Sequence, residues 1–123
     1  MASKRYPYTT TPEDRALFES HLRTWQKKLN LTDWRVEFLE EPVKRVSTAD
    51  VEISYEHRLA KVRFTDCSRR QYTPEELEGF ALHELLHVRL ADLIHAVRDE
   101  ADEKMIEAAE HSVIVLLDKL LRK

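Results

Sequence analysis

Apolar residues recur along this chain at two different periods. Near the start, Phe18, Leu22, Trp25 and Leu29 follow one another at steps of three and four residues, which predicts a helix with one face on a core. After residue 33 the period changes to two, which is typical of half-buried strands. The alternating apolar positions are Trp34, Val36 and Phe38, then Val51, Ile53 and Tyr55, then Val62 and Phe64. This pattern predicts a helix followed by three short strands, the last two of which form a β-hairpin or lie as two neighbouring strands.

A second helical region begins after residue 72. Thr73-Pro74-Glu75-Glu76 and the earlier Thr11-Pro12-Glu13-Asp14 both combine a capping hydroxyl, a proline at the first helical position and acids in the first turn. Residues 77–97 are apolar on nearly every side, which indicates a buried helix. A last helix with one apolar face is predicted over about residues 99–121.

This order of elements predicts an α+β fold with an N-terminal helix, a small three-stranded sheet, a buried helix and a C-terminal helix. The length of 123 residues suits one domain, which we place at residues 11–123. Residues 1–10 contain Pro7 and several threonines without an apolar period, so we expect a flexible N-terminal arm there.

Composition argues against several classes of function. A formal net charge of -3 offers no general attraction to nucleic acid or anionic lipid. No stretch approaches the roughly 20 apolar residues of a membrane span, and the N-terminus lacks the apolar centre of a signal peptide, so we expect a cytoplasmic protein. Because Cys67 is the only cysteine, an intrachain disulfide and a zinc site made of several thiolates are excluded.

The motif that carries chemistry is His83-Glu84-Leu85-Leu86-His87, on the predicted buried helix. Residues four apart on a helix lie one turn above each other, so both imidazoles can reach one metal ion. This pair suits Zn²⁺, which needs a third protein ligand and an open position for water. Glu84 lies roughly 100° round the helix from His83, where it can contact that water without being a ligand. The motif predicts a zinc site in which Glu84 is the general base of a hydrolysis.

On this motif the chain resembles the zincin metallopeptidases. The segments ADVEISYEHRLAKVRFTD, ALHELLHVRLADL and DEADEKMIEAAEHSV are similar to small zinc metallopeptidases encoded by phages and bacteria, of the minimal gluzincin type. The likeness spans about residues 34–117 and has strong specificity only at HELLH. It implies a zinc metallopeptidase with a peptide or protein substrate, and a Glu on the helix after the motif helix as third ligand. It also implies an edge strand, here Ala60 to Thr65, along which an extended peptide lies by strand addition.

Histidine is a poor candidate for the third ligand by sequence spacing. Metzincins would require a His at the position of Leu93, and His95 lies about 12 Å beyond His87 if the helix continues. The SprT-like proteases also use a third His, but no other His is suitably spaced. We expect His111 to be a surface residue.

The glutamates of the last helix remain. Projection at 100° per residue places Glu103 and Glu110 beside the apolar face, whereas Glu107 points most nearly to solvent. We choose Glu103, which matches the acidic position ahead of an apolar pair in the resembling family. Glu110 is the rival, because a tight helical hairpin turning near residue 98 would bring it opposite His87. The glutamate that is not a ligand could orient a ligand His through its other ring nitrogen.

Three further points stay open at the level of sequence. The alternative to an enzyme is a zinc-binding module without turnover, because a chain this short has little room for a substrate cleft. Tyr55 or Tyr72 could stabilise the oxyanion, and spacing does not choose between them. Gly79, one turn before His83, could open access to the metal or permit close packing.

Overall fold

The computed structural model of the chain describes residues 5–43 and 47–122. The helices in these ranges are α1 (Pro12–Lys28), α2 (Pro74–Arg89), α3 (Ala91–Val97) and α4 (Glu103–Leu121). The strands are β1 (Tyr8–Thr9), β2 (Arg35–Phe38), β3 (Ala49–Ser54), β4 (Leu59–Phe64) and β5 (Cys67–Ser68). The predicted α+β class, the N-terminal helix and the three-stranded sheet are confirmed.

Both predicted helix starts are capping boxes. At the start of α2, the Thr73 hydroxyl accepts from the Glu76 amide at 3.1 Å, and the Glu76 carboxylate accepts from the Thr73 amide at 2.9 Å. Arg70 adds two hydrogen bonds to the same carboxylate, at 2.8 and 2.6 Å. These contacts lower the pKa of Glu76 from 4.5 to about 2, with Arg70 the largest cause. The start of the helix that carries HELLH is therefore fixed by a charged side chain as well as by the cap.

The three-stranded sheet has the order β2-β4-β3. β3 and β4 form the predicted antiparallel hairpin, whereas β2 lies parallel to β4 on its other side. Since β4 is hydrogen-bonded along both sides, the expectation that Ala60 to Thr65 forms an edge is wrong. The edges of this sheet are β2 and β3.

The core lies between the sheet and the α1–α2 pair. Phe18 of α1 stacks on Phe64 of β4 with ring centroids 4.6 Å apart. α2 is buried on several sides, as predicted, through Leu77, Ala81, Leu82, Leu85, Leu86 and Val88. The motif helix is thus held in the middle of the molecule, where its orientation is determined by packing.

The apolar stretch over residues 77–97 is two helices instead of one. α2 ends at Arg89, and α3 begins at Ala91 after Leu90. α3 is drawn to the β3–β4 turn, because Arg58 in that turn donates to Asp92 at 2.7 Å and Tyr55 stacks on His95 at 3.9 Å. A periodic pattern contains no information about contacts between distant segments, which is why the break between α2 and α3 was not predicted.

The N-terminal segment also differs from its prediction. Tyr8 and Thr9 pair with Ser68 and Cys67 as a short antiparallel ribbon, and the Tyr8 hydroxyl donates to Asp14 at 2.9 Å. This part of the predicted flexible arm is therefore ordered against the body, while residues 1–4 lie outside the described residues. Among the helices of the described ranges, none is long and apolar enough to cross a membrane.

Candidate metal centre

Three imidazoles converge between α2 and α4. His83 and His87 lie one turn apart on α2, and His111 of α4 faces both of them. The ring centroids of His83 and His87 are 5.1 Å apart, and His111 lies 5.6 Å from the first and 5.1 Å from the second. One nitrogen from each ring lies within 4.8 Å of the others. The pairing of His83 with His87 is the one that the sequence spacing predicts.

α4 reaches this position because it packs along α2 in the opposite direction. Near its end, Arg122 donates to the carbonyl of Glu75 at 2.9 Å, beside the start of α2. Ile114 in its middle is fully buried in the core. His111 comes one turn before Ile114 and thus meets the later turns of α2, where His83 and His87 lie.

Glu110 makes the second contact of α4 with the motif. Its Oε2 lies 2.8 Å from Nδ1 of His87, and both side chains are largely shielded from solvent. This contact occupies Nδ1 and leaves Nε2 as the nitrogen of His87 that is available to a metal ion. Glu110 is therefore placed for the role predicted for the glutamate that is not a ligand, which is to orient a ligand His.

Glu103, the glutamate chosen from the sequence, is not brought to the imidazoles. It is the exposed first residue of α4, eight positions before His111, which is about 12 Å along the helix. The geometry favours His111 as the third donor in its place. His111 is exposed as expected, but its ring faces the motif, so a suitably placed third His is present after all. A tight helical hairpin turning near residue 98 brings Glu110 opposite His87, and it brings the neighbouring His111 to the motif as well. This hairpin was the signal that could have identified His111.

The three donors fit a zinc ion by their chemistry. Tetrahedral Zn²⁺ with nitrogen ligands at about 2.0 to 2.1 Å places those nitrogens roughly 3.3 Å apart. Nitrogens within 4.8 Å of one another reach that spacing by small side-chain rotations. The pKa of His83 is lowered, first by burial and then by its neighbours His87 and His111, which favours the neutral imidazole that binds metal.

Glu84 lies beside this group without belonging to it. Its side chain is buried, with 8% of the residue exposed. Burial, followed by the negative charge of Asp50, raises its pKa from 4.5 to about 8. A carboxyl group with this pKa can take or release a proton near neutral pH, and a cation held by the imidazoles would shift the balance toward the carboxylate. This is the placement that the motif predicts for a general base.

Two open cavities flank the imidazoles. The first, here called the Glu84 cavity, has a volume of about 430 Å³ and is lined by residues including Ala49, Gly79, Phe80, His83, Glu84 and Val115. The second, the His87 cavity, has about 470 Å³ and is lined by residues including Ile53, Tyr55, His87, Ala91, His95 and Glu110. Since β3 contributes Ala49 to one and Ile53 to the other, this edge strand runs past the centre from cavity to cavity.

The remaining candidate residues, Tyr55, Tyr72 and Gly79, line different cavities. Tyr55 lines the His87 cavity, and its pKa is raised, first by a hydrogen bond with Asp92 and then by burial. The Tyr72 hydroxyl lies 3.3 Å from the Thr48 hydroxyl and lines a different cavity, together with Cys67. Gly79 lines the Glu84 cavity together with His83 and also permits close packing, since an added Cβ would lie 2.8 Å from Nη2 of Arg122. Tyr55 is therefore the tyrosine that shares a cavity with the imidazoles.

Comparisons of this chain with protein-family models, with curated proteins and with solved structures find no match. The chemistry of the site itself therefore carries the functional assignment.

Proposed function

We propose that this protein is a zinc-dependent peptide hydrolase with a zincin-like arrangement of its motif helix. His83, His87 and His111 would hold the ion, and Glu84 would be the general base. The observation that supports the proposal is the meeting of three imidazoles from two helices beside a buried glutamate whose pKa is raised to about 8. A structural zinc site needs no such carboxyl group, whereas hydrolysis uses a general base, which a carboxyl group in this position can supply.

The imidazoles, Glu84 and Glu110 would each have a different role in the proposed reaction. Zinc at the three imidazoles would supply Lewis-acid chemistry, polarising a peptide carbonyl and lowering the pKa of a water molecule. Glu84 would take the proton of the attacking water and pass it to the leaving amine, which its burial and raised pKa allow. Glu110 would hold the His87 ring in the orientation and tautomer that present Nε2 to the ion.

The edge of β3 is the surface we propose for an extended peptide. The Thr65 amide donates to the Thr48 carbonyl at 2.8 Å, and Thr48 stands opposite Thr65 when the ladder is continued. In an antiparallel ladder, hydrogen-bonded pairs alternate with pairs that are not hydrogen-bonded to each other. Thr48 belongs to a hydrogen-bonded pair, so Val51 and Ile53 belong to the other kind. Their N–H and C=O groups therefore point away from β4, toward the outer edge of the sheet. These groups can pair with a substrate strand that passes both cavities.

The opposite edge of the sheet is protected by contrast. Arg23 of α1 donates to the carbonyl of Val36 in β2 at 2.7 Å, and Arg15 donates to the carbonyl of Leu39 at 2.9 Å. Side chains that cover backbone acceptors in this way block the addition of another strand. Among the two edges, β3 is therefore the one suited to a peptide, and it is also the one beside the imidazoles.

The test is cleavage of an unstructured protein such as casein by the zinc-loaded chain. We expect chelator-sensitive cleavage that Glu84→Gln reduces by more than about 100-fold while metal analysis still finds about one zinc per chain. Glu75→Gln, an exposed glutamate on the same helix, is the matched control and should cleave normally. Stoichiometric zinc without cleavage by the unmodified chain would instead support the zinc-binding module without turnover.

A further inference from the structure

α4 has a second apolar face that the fold leaves uncovered. Its inner face is packed by Ile114, which is fully buried, and Leu117, which is half-buried. Six of the seven large apolar side chains that are exposed in the described ranges nevertheless belong to α4, with exposures from 42% to 69%. A helix at the surface of a monomer ordinarily has one apolar stripe, so the second requires a partner.

The uncovered residues form a continuous stripe. At 100° per residue, Met105, Ala109, Val113, Leu116 and Leu120 fall within an arc of about 80° on the side of α4 opposite Ile114. Their steps of three and four residues continue for about 22 Å along the helix. We call these five residues the outer stripe. Steps of this kind are typical of helices that pair with another helix.

The charges at the two ends of α4 have opposite signs. Four exposed acids precede the helix or lie in its first turn, namely Asp99, Glu100, Asp102 and Glu103. The other end carries Lys119, which is exposed, and Arg122, whose charge is shared with Asp118. The acidic end of one α4 therefore suits the basic end of a second α4 that runs antiparallel to it.

We propose that two copies of this chain associate through the outer stripe, with their α4 helices antiparallel. A two-fold axis between residues 112 and 113 places Met105 against Leu120 of the second copy and Ala109 against Leu116. Large side chains then meet smaller or flexible ones, which permits close packing. The same register places Lys119 opposite residue 106 of the second copy, one helical turn from Asp102 and Glu103. Neither the zinc site nor the β3 edge takes part in this contact.

The size of the stripe agrees with a dimer. Monomers rarely expose apolar patches larger than roughly 300–600 Å². The four large side chains of the outer stripe, Met105, Val113, Leu116 and Leu120, are each at least 42% exposed and together reach the lower part of that range. Two such surfaces and their polar rim approach the roughly 1,200–1,600 Å² of a stable interface.

The first test is the molar mass in solution, measured by sedimentation and light scattering from about 1 to 100 μM. We expect twice the mass of one chain at the upper concentrations. Leu116→Glu should weaken association by more than about 100-fold, because it places a charge in an apolar interface. Leu93→Glu on α3 is the matched control, since Leu93 is 60% exposed and Leu116 57%, but Leu93 lies outside the stripe. A circular dichroism spectrum of each variant establishes that it is folded.

The second test is the direction of pairing. In a Cys67→Ser background, chains with Met105→Cys and chains with Leu120→Cys are prepared separately and then mixed under mild oxidation. An antiparallel pair crosslinks one kind of chain to the other, whereas a parallel pair crosslinks each kind to itself. A monomer at 100 μM, self-crosslinking alone, or a Leu116→Glu variant that associates as tightly as the unmodified chain would overturn the proposal.

Discussion

At the scale of single side chains, the centre depends on two neighbouring residues of α4. His111 completes a triangle of imidazoles with His83 and His87. Oε2 of Glu110 lies 2.8 Å from Nδ1 of His87. One residue is a donor to the proposed ion, whereas the other fixes a donor. The two roles differ in what their removal should do to zinc affinity.

Replacing the third donor should abolish tight zinc binding. We expect His111→Ala to lower zinc affinity by more than about 100-fold, beyond the roughly 10- to 100-fold that is typical for residues that only orient a ligand. Titration calorimetry against a competing chelator measures this. Glu103→Ala should change the affinity by less than about twofold, because Glu103 is exposed and distant from the imidazoles. The opposite ranking of these two variants would restore Glu103 as the ligand.

Removing the charge of Glu110 should weaken zinc binding without abolishing it. Glu110→Gln keeps the shape of the side chain but not the carboxylate that accepts from His87, so we expect a loss of about 10- to 100-fold. Glu107→Gln, an exposed glutamate one turn earlier, is the control and should bind zinc normally. Equal effects of both substitutions would show that only the general charge of α4 matters.

The sequence predicts this site as far as local geometry reaches. His83, Glu84 and His87 belong to one helix, so their relative positions follow from its pitch. His111 is 24 residues beyond His87, and its place depends on where α3 ends and on which face of α4 is buried. Projection of α4 placed Glu103 and Glu110 equally beside the apolar face, and only the family resemblance favoured Glu103. Projection contains no information about how far along α2 the helix packs.

At the scale of elements, the position of the centre depends on the start of α2 and on the free edge of the sheet. The periods of the sequence were sufficient for α1, for the start of α2 and for the β3–β4 hairpin, because each is a local pattern with its own cap or turn. The parallel pairing of β2 with β4 joins strands separated by the whole of β3, which no local pattern encodes. The edge was for this reason assigned to the wrong strand.

The start of α2 should respond to pH through Glu76. Its pKa is about 2 in the folded chain and 4.5 ordinarily, so its stabilisation is fully present above pH 4.5 and is lost as the pH falls through about 2. We expect Glu76→Gln to lower the free energy of unfolding by only about 1 kcal/mol at pH 7, since the Arg70 side chain is exposed and water screens the ion pair. The difference from the unmodified chain should shrink between pH 4.5 and 2 in urea titrations.

Glu75→Gln is the control for this pH effect. Glu75 is exposed in the same first turn, and its substitution should change stability by less than about 0.5 kcal/mol. A loss for Glu76→Gln that stays constant down to pH 2 would show that the carboxylate contributes nothing as a charge.

The edge of β3 should be sensitive to the loss of one backbone donor. Val51→Pro removes an N–H that points away from β4, so the sheet keeps its internal ladder while a substrate strand loses a partner. We expect cleavage to fall by about 10-fold or more with zinc content unchanged, as measured by peptide turnover and metal analysis. Val51→Thr keeps the N–H and should retain activity. Equal cleavage by both variants would place the substrate elsewhere.

At the scale of the whole molecule, the proposed ion would join two parts of unequal stability. α1, α2 and the sheet share the buried core, whereas among the described residues of α4 only Ile114 is buried in it. An ion held by two imidazoles on α2 and one on α4 would convert the contact between these helices into a crosslink. Zinc should therefore act on the stability of α4 more than on that of α1.

Zinc binding should raise the midpoint of thermal unfolding and protect α4 from hydrogen exchange. Free zinc at 100 times its dissociation constant adds about 2.7 kcal/mol, which for a chain of this length corresponds to roughly 10 °C. Glu84→Gln should keep this rise because all three imidazoles remain, and His111→Ala should lose it. Amide exchange measured by mass spectrometry should slow in α4, because its local opening separates His111 from the imidazoles of α2, whereas amides in the first turn of α1, which exchange by fraying that leaves the three imidazoles together, should keep their rates. Unchanged exchange in α4 would mean that zinc does not fasten α4 to α2, and a rise that His111→Ala keeps would remove His111 from the centre.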